Sequence, residues 1–134
     1  MRHTLKLNGI VIGWSNLEEV DDVDRRVWGQ FHPGIGYELV QPIFRLFVEA
    51  TPTPGGEPLD EIKLERYIAA RDQLPLELVD DRGRPIRTAA IHIADYSEKR
   101  GPDAISLDVL ISDDHYWSTQ ERNRGTGFDP GSGM

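Results

Sequence analysis

The chain has 134 residues and no cysteine, and 35 of its residues are Leu, Ile, Val or Phe. This apolar content exceeds that of disordered chains, and the absence of cysteine excludes disulfides and thiolate metal sites. The formal net charge of −8 opposes binding to the phosphate backbone of nucleic acids. No apolar run has the length of a signal region or a membrane span, so we expect a soluble, cytoplasmic protein without membrane contact.

An Asn8-Gly9 dipeptide predicts a type I′ turn, because both central residues of that turn need a positive φ angle. Apolar residues flank the dipeptide, so we predict a two-stranded hairpin. The turn sets three cross-strand pairs, Leu7 with Ile10, Leu5 with Ile12, and His3 with Trp14. Gly13 falls on the opposite face and indicates a bulge or a close backbone approach.

Residues 17–26 are acidic, with carboxylates at Glu18, Glu19, Asp21, Asp22 and Asp24. We predict an exposed connection, since the valines of this segment give only a weak helical pattern. Its oxygen atoms would suit calcium, but the segment lacks the spacing and the central glycine of an EF-hand loop, so a solvated surface is favoured. Residues 26–31 then place Val27, Gly29 and Phe31 on one face of a third strand.

Two helices are predicted in the middle of the chain. The first covers residues 41–50, because Pro42 is tolerated in a first turn but costs about 3 kcal/mol inside a helix. The second follows an Asp60 N-cap, continues to about residue 73 and is ended by Pro75. Its predicted buried stripe is Leu64, Tyr67, Ile68 and Leu74. Residues 51–58, with three prolines and two glycines, are expected to form an exposed loop.

Residues 76–117 carry the clearest pattern, which predicts three antiparallel strands at 76–79, 86–96 and 105–111. In the last strand every odd position is aliphatic and the positions between are mostly polar, as in a strand with one buried face. Gly83 supplies the turn between the first two strands. Residues 118–134 are polar and glycine-rich, and we expect a flexible tail after a domain of residues 1–117.

The resulting order, β-β-β-α-α-β-β-β, predicts a single α+β domain. We expect a mostly antiparallel sheet of about five to six strands with one or two helices packed on one face. Small residues beside His92, at Ala90 and Ala94, would let a helix or the sheet of a second subunit approach that face closely.

Two histidines are the candidates for catalysis. His92 and Asp95 lie on one predicted strand, and Asp113 and His115 follow the end of the next. If these ends met, the set could act as acid and base, and His92, Asp113 and His115 could bind zinc or iron. Because His92 and Asp95 are three residues apart, a regular strand directs them to opposite faces, so we favour no metal site and predict no cofactor.

Aromatic residues near strand ends are the candidates for a ligand or partner site, because such residues often line pockets and interfaces. They are Trp14, Trp28, Tyr37, Tyr96 and Trp117. The alternative is that they only cap the ends of the core.

The sequence therefore predicts a fold without a catalytic signature. It favours a non-catalytic acidic binding module, expected to be a homodimer or to act as an accessory protein on a basic protein partner. The alternative is a small hydrolase or lyase that uses His92 with Asp95 or His115, with or without a metal, in an aromatic-lined pocket.

Overall fold

The computed structural model describes residues 1–50 and 59–119, so the predicted loop at 51–58 and the tail beyond residue 119 lie outside the described residues. The strands are β1 (His3–Leu7), β2 (Ile10–Ser15), β3 (Glu19–Asp21), β4 (Arg26–Gln30), β5 (His32–Pro33), β6 (Leu76–Val79), β7 (Pro85–Ile86), β8 (Thr88–Asp95) and β9 (Ile105–Ile111). The helices are a 3-10 helix (Ile35–Leu39), α1 (Gln41–Ala50), α2 (Glu61–Asp72), α3 (Ser97–Arg100) and α4 (residues 114–119).

The predicted α+β class is confirmed, with the strands divided between two antiparallel sheets. The first sheet has the order β5-β2-β1-β6-β7 and the second has the order β3-β4-β9-β8. The three strands predicted at 76–117 therefore separate, since β6 joins the first sheet while β8 and β9 join the second. Alternation of apolar residues shows which side chains share a face, but it does not show which strand lies alongside.

The Asn8-Gly9 turn forms as predicted, with φ angles of 51° and 84°. Leu7 pairs with Ile10, but a bulge at Ile12 then shifts the register. The predicted pairs of Leu5 with Ile12 and His3 with Trp14 are therefore wrong, and the observed pairs are Leu5 with Gly13 and His3 with Ser15. The bulge lets Leu5 and Ile12 both lie fully buried.

The backbone at Gly13 passes close to a core side chain, which is the close approach that its position in the hairpin predicted. A Cβ atom at this residue would lie 2.2 Å from Cζ of Phe31 and 2.6 Å from the carbonyl oxygen of His32. Only glycine leaves room for that contact.

The core fills the space between the sheets. Alternate residues of β9, from Ile105 to Ile111, are buried, as the sequence predicted. They form one apolar cluster with Leu5 and Leu78 of the first sheet and with Phe44 of α1. No helix of the described residues is long and apolar enough to cross a membrane.

Both long helices begin where their sequence signals placed them. α1 starts at Gln41 with Pro42 in its first turn, and Asp60 caps α2 by accepting a 3.0 Å hydrogen bond from the Lys63 amide. The buried face of α2 is narrower than predicted, because Tyr67 is buried while Ile68 is 41% exposed. α1 packs against α2 and β8.

The acidic segment forms a strand where an exposed connection was expected. β3 pairs with β4, and Oδ1 of Asp21 closes the turn between them by accepting hydrogen bonds from the amides of Val23 and Asp24. Side-chain acceptors of this kind stabilise turns. β3 is thus the edge strand of the second sheet.

Candidate functional site

The fold separates the histidines and carboxylates that the sequence placed together. β8 and β9 are antiparallel, so His92 pairs with Asp108 and Asp95 pairs with Ile105, at the beginning of β9. His115 follows the other end of β9, which pairs with Thr88. Among the described residues no group of three or more histidines and carboxylates could hold a metal ion.

Asp95 is buried, and both its carboxylate oxygens are engaged. Oδ2 accepts hydrogen bonds from the Tyr37 hydroxyl at 2.7 Å and from Nε2 of Gln41 at 3.1 Å. Oδ1 accepts from the amide of Ser97 at 2.9 Å and from its hydroxyl at 2.5 Å. Burial alone would raise the pKa of Asp95, but these hydrogen bonds outweigh it and lower the pKa. The carboxylate therefore ties β8 to the 3-10 helix and to α1.

His92 is held by aromatic side chains from both long helices. Its Nδ1 is hydrogen-bonded to the Tyr67 hydroxyl, and the Phe47 ring meets it edge-on at 4.3 Å between centroids. Burial lowers the pKa of His92 to about 4, although the nearby Asp108 acts in the opposite direction. Burial raises the pKa of Tyr67 to about 12. At neutral pH the phenol is therefore protonated and the imidazole is neutral, and the imidazole tautomer sets the direction of the hydrogen bond between them.

Asp113 and His115 line a different part of the molecule. They border an open cleft of about 410 Å³ whose walls also include Asp80, Arg82 and Tyr116. Oδ1 of Asp113 caps α4 by accepting a hydrogen bond from the amide of His115, and Oδ2 accepts one from the amide of Arg87. Burial would raise its pKa, but hydrogen bonds from backbone amides outweigh this effect and lower the pKa. Asp80 is engaged in the same way by the amides of Arg82 and Arg84.

The predicted aromatic residues do not meet in one pocket. Tyr37 and Trp117 are buried, and the Trp117 indole donates a 2.9 Å hydrogen bond to the Ile111 carbonyl. These two residues cap the core, which was the alternative interpretation of the aromatic set. Tyr96 is half-buried beneath the guanidinium of Arg100.

The two remaining tryptophans lie in different sheets. The Trp14 ring stacks on His32 at 4.0 Å, and the Arg2 guanidinium lies 3.7 Å from its centroid. Trp28 is covered by Arg26 at 4.3 Å. Cation–π contacts of this kind hold each indole ring against the surface of the protein.

The hairpin formed by β3, β4 and their turn was not predicted from the sequence. Together with the preceding Glu18 we call it the acidic hairpin. It contains the carboxylates of Glu18, Glu19, Asp21, Asp22 and Asp24. The two arginines that follow in sequence bind carboxylates elsewhere. Arg25 pairs with Asp114 at 2.6 Å, and Nε of Arg26 lies 2.9 Å from both carboxylate oxygens of Asp108. Arg25 and Arg26 thus each bind a carboxylate outside the acidic run, while Arg26 also lies across from Asp21 on the neighbouring strand.

Exposure is high along the same hairpin. Val20 is 43% exposed on β3, and Val23 is 88% exposed in the turn. The signal that could have identified this strand is the pair of Val20 and Val27, which lie opposite each other across the hairpin, together with the turn-forming Asp21. This signal was overlooked because the surrounding acidic residues indicated an exposed connection.

No protein-family model, no curated protein and no solved structure matches the chain. The function is therefore inferred from the charge, exposure and strand geometry of the described residues.

Proposed function

We propose that this chain is a small non-catalytic interaction module whose acidic hairpin binds a basic segment of a protein partner. The observation that carries the proposal is the engagement of Arg25 by Asp114 and of Arg26 by Asp108. Five carboxylates within residues 18–24 are followed by only these two arginines, each of which also binds a carboxylate outside that run, so the run keeps a net negative field that attracts positive charge.

The magnitude of this attraction suits reversible binding. Two unit charges at 4 Å interact by about 1 kcal/mol in water, and exposed ion pairs typically contribute about 0.2–1 kcal/mol each. Three to five such pairs would contribute roughly 1–3 kcal/mol, so charge selects the partner and raises the association rate more than it sets the affinity. Binding should therefore weaken steeply with added salt.

The enzyme alternative lacks comparable support. The buried Asp95 accepts hydrogen bonds from groups within the fold, and Nδ1 of His92 is hydrogen-bonded to Tyr67. A substrate would have to displace those partners, at a cost of about 1–3 kcal/mol for each buried donor left unsatisfied.

Self-association is a second candidate, favoured by a separate observation. Four large apolar side chains on β2 and the 3-10 helix are 46% to 100% exposed: Ile10, Val11, Ile35 and Leu39. Gly36 links the two elements, since a Cβ atom there would lie 2.8 Å from a methyl group of Ile10. Exposed apolar residues in a continuous patch are typical of subunit contacts.

The test uses a fluorescent peptide of alternating Lys and Val residues and measures anisotropy at low and high salt. One variant neutralises the hairpin through Glu18→Gln, Glu19→Gln and Asp24→Asn, which spares the turn-forming Asp21. A matched control neutralises the exposed carboxylates of Glu38, Glu65 and Glu98, so both variants carry the same net charge.

We expect the hairpin variant to bind about tenfold more weakly than the parent, and the control to bind less than threefold more weakly. Equal weakening in the two variants would contradict a site in the hairpin. Failure of the parent to bind the peptide at low salt would contradict the proposed function itself.

A further inference from the structure

We infer that the partner's basic segment binds as an extended strand against the outer edge of β3 and adds a fifth strand to the second sheet. This inference rests on the proposed function, and it adds the conformation and the sequence pattern of the bound segment.

The edge of β3 is open for such pairing. β3 ends the strand order of the second sheet, and within residues 1–50 and 59–119 no strand pairs with its outer side. The opposite edge, β8, is contacted by α1 and α2. In an edge strand, alternate residues direct their N–H and C=O groups away from the sheet, where an added strand can bind them.

The two faces of β3 define what the added strand should carry. Glu19 pairs with Trp28 and Asp21 pairs with Arg26, so both carboxylates lie on the outer face of the sheet. Val20 pairs with the buried Val27 and lies on the core side. Because side chains alternate along a strand, the matching segment reads basic–apolar–basic.

A basic residue of that segment would lie beside Glu19 or Asp21, and its apolar residue would lie beside Val20. Cross-strand neighbours of opposite charge, and apolar neighbours, stabilise a sheet. The half-exposed Val20 would thereby become covered, and the core would be extended by one strand.

The same edge disfavours a second copy of this chain. Antiparallel pairing of two β3 strands about Val20 would place Glu19 of one copy opposite Asp21 of the other. Like charges opposite one another destabilise strand pairs, and charged edges protect sheets against self-pairing. A basic strand meets no such repulsion along β3, because both residues that flank Val20, Glu19 and Asp21, are acidic.

Backbone methylation of the alternating Lys-Val peptide tests the mode of binding. One version carries N-methyl groups on the Lys amides and another carries them on the Val amides. A strand bound by one edge uses only one of these two sets. We therefore expect one version to bind at least tenfold more weakly than the parent peptide and the other to bind within threefold of it.

Two substitutions in the protein provide a matched pair. Val20→Lys places a positive charge on the strand edge, and Val23→Lys places the same charge in the exposed turn. Both variants change the net charge equally, so charge alone predicts equal effects. Strand addition predicts at least tenfold weaker peptide binding for Val20→Lys than for Val23→Lys, with both variants folded by circular dichroism.

The outcomes separate the inference from the function on which it rests. If the unmodified peptide binds but both methylated versions bind as tightly as it does, strand addition is overturned and the basic-segment function stands. If both versions lose binding equally, or if the two lysine variants are equally weakened, strand addition is likewise overturned. If the unmodified peptide does not bind, the proposed function fails.

Discussion

The carboxylate of Asp95 should be the polar group on which the stability of this fold depends most. It accepts four hydrogen bonds, two on each oxygen, and it is 2% exposed. In Asp95→Asn the shape of the side chain is kept, but one oxygen becomes an NH2 donor. That donor then faces groups that also donate, and the charge that strengthened the other hydrogen bonds is lost.

The cost follows from these contacts. Hydrogen bonds to a charged group contribute about 1.5–3 kcal/mol, and the hydroxyl of Tyr37 and the amide of Gln41 can reorient to accept from an NH2 group. We therefore expect Asp95→Asn to lower the free energy of unfolding by about 2–3 kcal/mol at neutral pH. With a urea m-value of about 1.5 kcal/mol/M, the unfolding midpoint would fall by about 1.3–2 M.

The pH dependence gives a second readout. The pKa of Asp95 is lowered in the folded state. Its contribution is therefore fully present above the unfolded pKa of about 4 and is lost as the pH falls through the folded value. The stability difference between the wild-type protein and Asp95→Asn should shrink at pH 3. A difference below about 0.5 kcal/mol at pH 7, or one that is the same at pH 3, would refute this account.

Three further predictions concern His92, Gly13 and the exposed apolar patch. Because burial lowers the pKa of His92 to about 4 while the unfolded value is about 6.5, the unfolded chain binds a proton first as the pH falls. Urea unfolding should thus show a larger loss of stability between pH 7 and pH 5 for the wild-type protein than for His92→Gln, and equal losses would count against a buried neutral imidazole. Gly13→Ala should lower the free energy of unfolding by about 3 kcal/mol, because the added methyl group overpacks the core. Gly9→Ala should lower it by about 1 kcal/mol, because nothing lies within 4 Å of the new Cβ but the φ of 84° disfavours alanine. Similar unfolding midpoints for the two variants would contradict the close approach at Gly13. Sedimentation velocity should show dimers of the wild-type protein and of Ile62→Glu, but monomers of Ile35→Glu, and a monomeric wild-type protein would remove self-association as a candidate.

The features that were predicted correctly depend on short stretches of sequence. The Asn8-Gly9 turn, the Asp60 cap and the start of α1 before Pro42 are each set by residues within one turn of the backbone. The alternation of β9 is equally local. Such features can be predicted from sequence, because the interactions that stabilise them are made by residues close together in the chain.

The features that were missed depend on residues far apart in sequence. The bulge at Ile12 leaves both Leu5 and Ile12 buried, and the core joins residues of the two sheets that are far apart in sequence, such as Leu5 and Leu107. The candidate site failed for a related reason. Antiparallel pairing brings the end of one strand to the beginning of the next, so Asp95 lies beside the beginning of β9, His92 lies beside its middle, and His115 follows its end.

The polar groups of this fold divide into two sets with different capacities. Asp95 and His92 have hydrogen-bond partners inside the chain, so they can act on a second molecule only by leaving those partners unsatisfied. The exposed carboxylates of Glu19 and Asp24 exchange water for a cation at little cost. The carboxylates of the acidic hairpin can therefore bind a second molecule without breaking hydrogen bonds within the fold, whereas the buried groups cannot. That difference is the reason for our proposal that the chain binds a basic partner segment through the acidic hairpin.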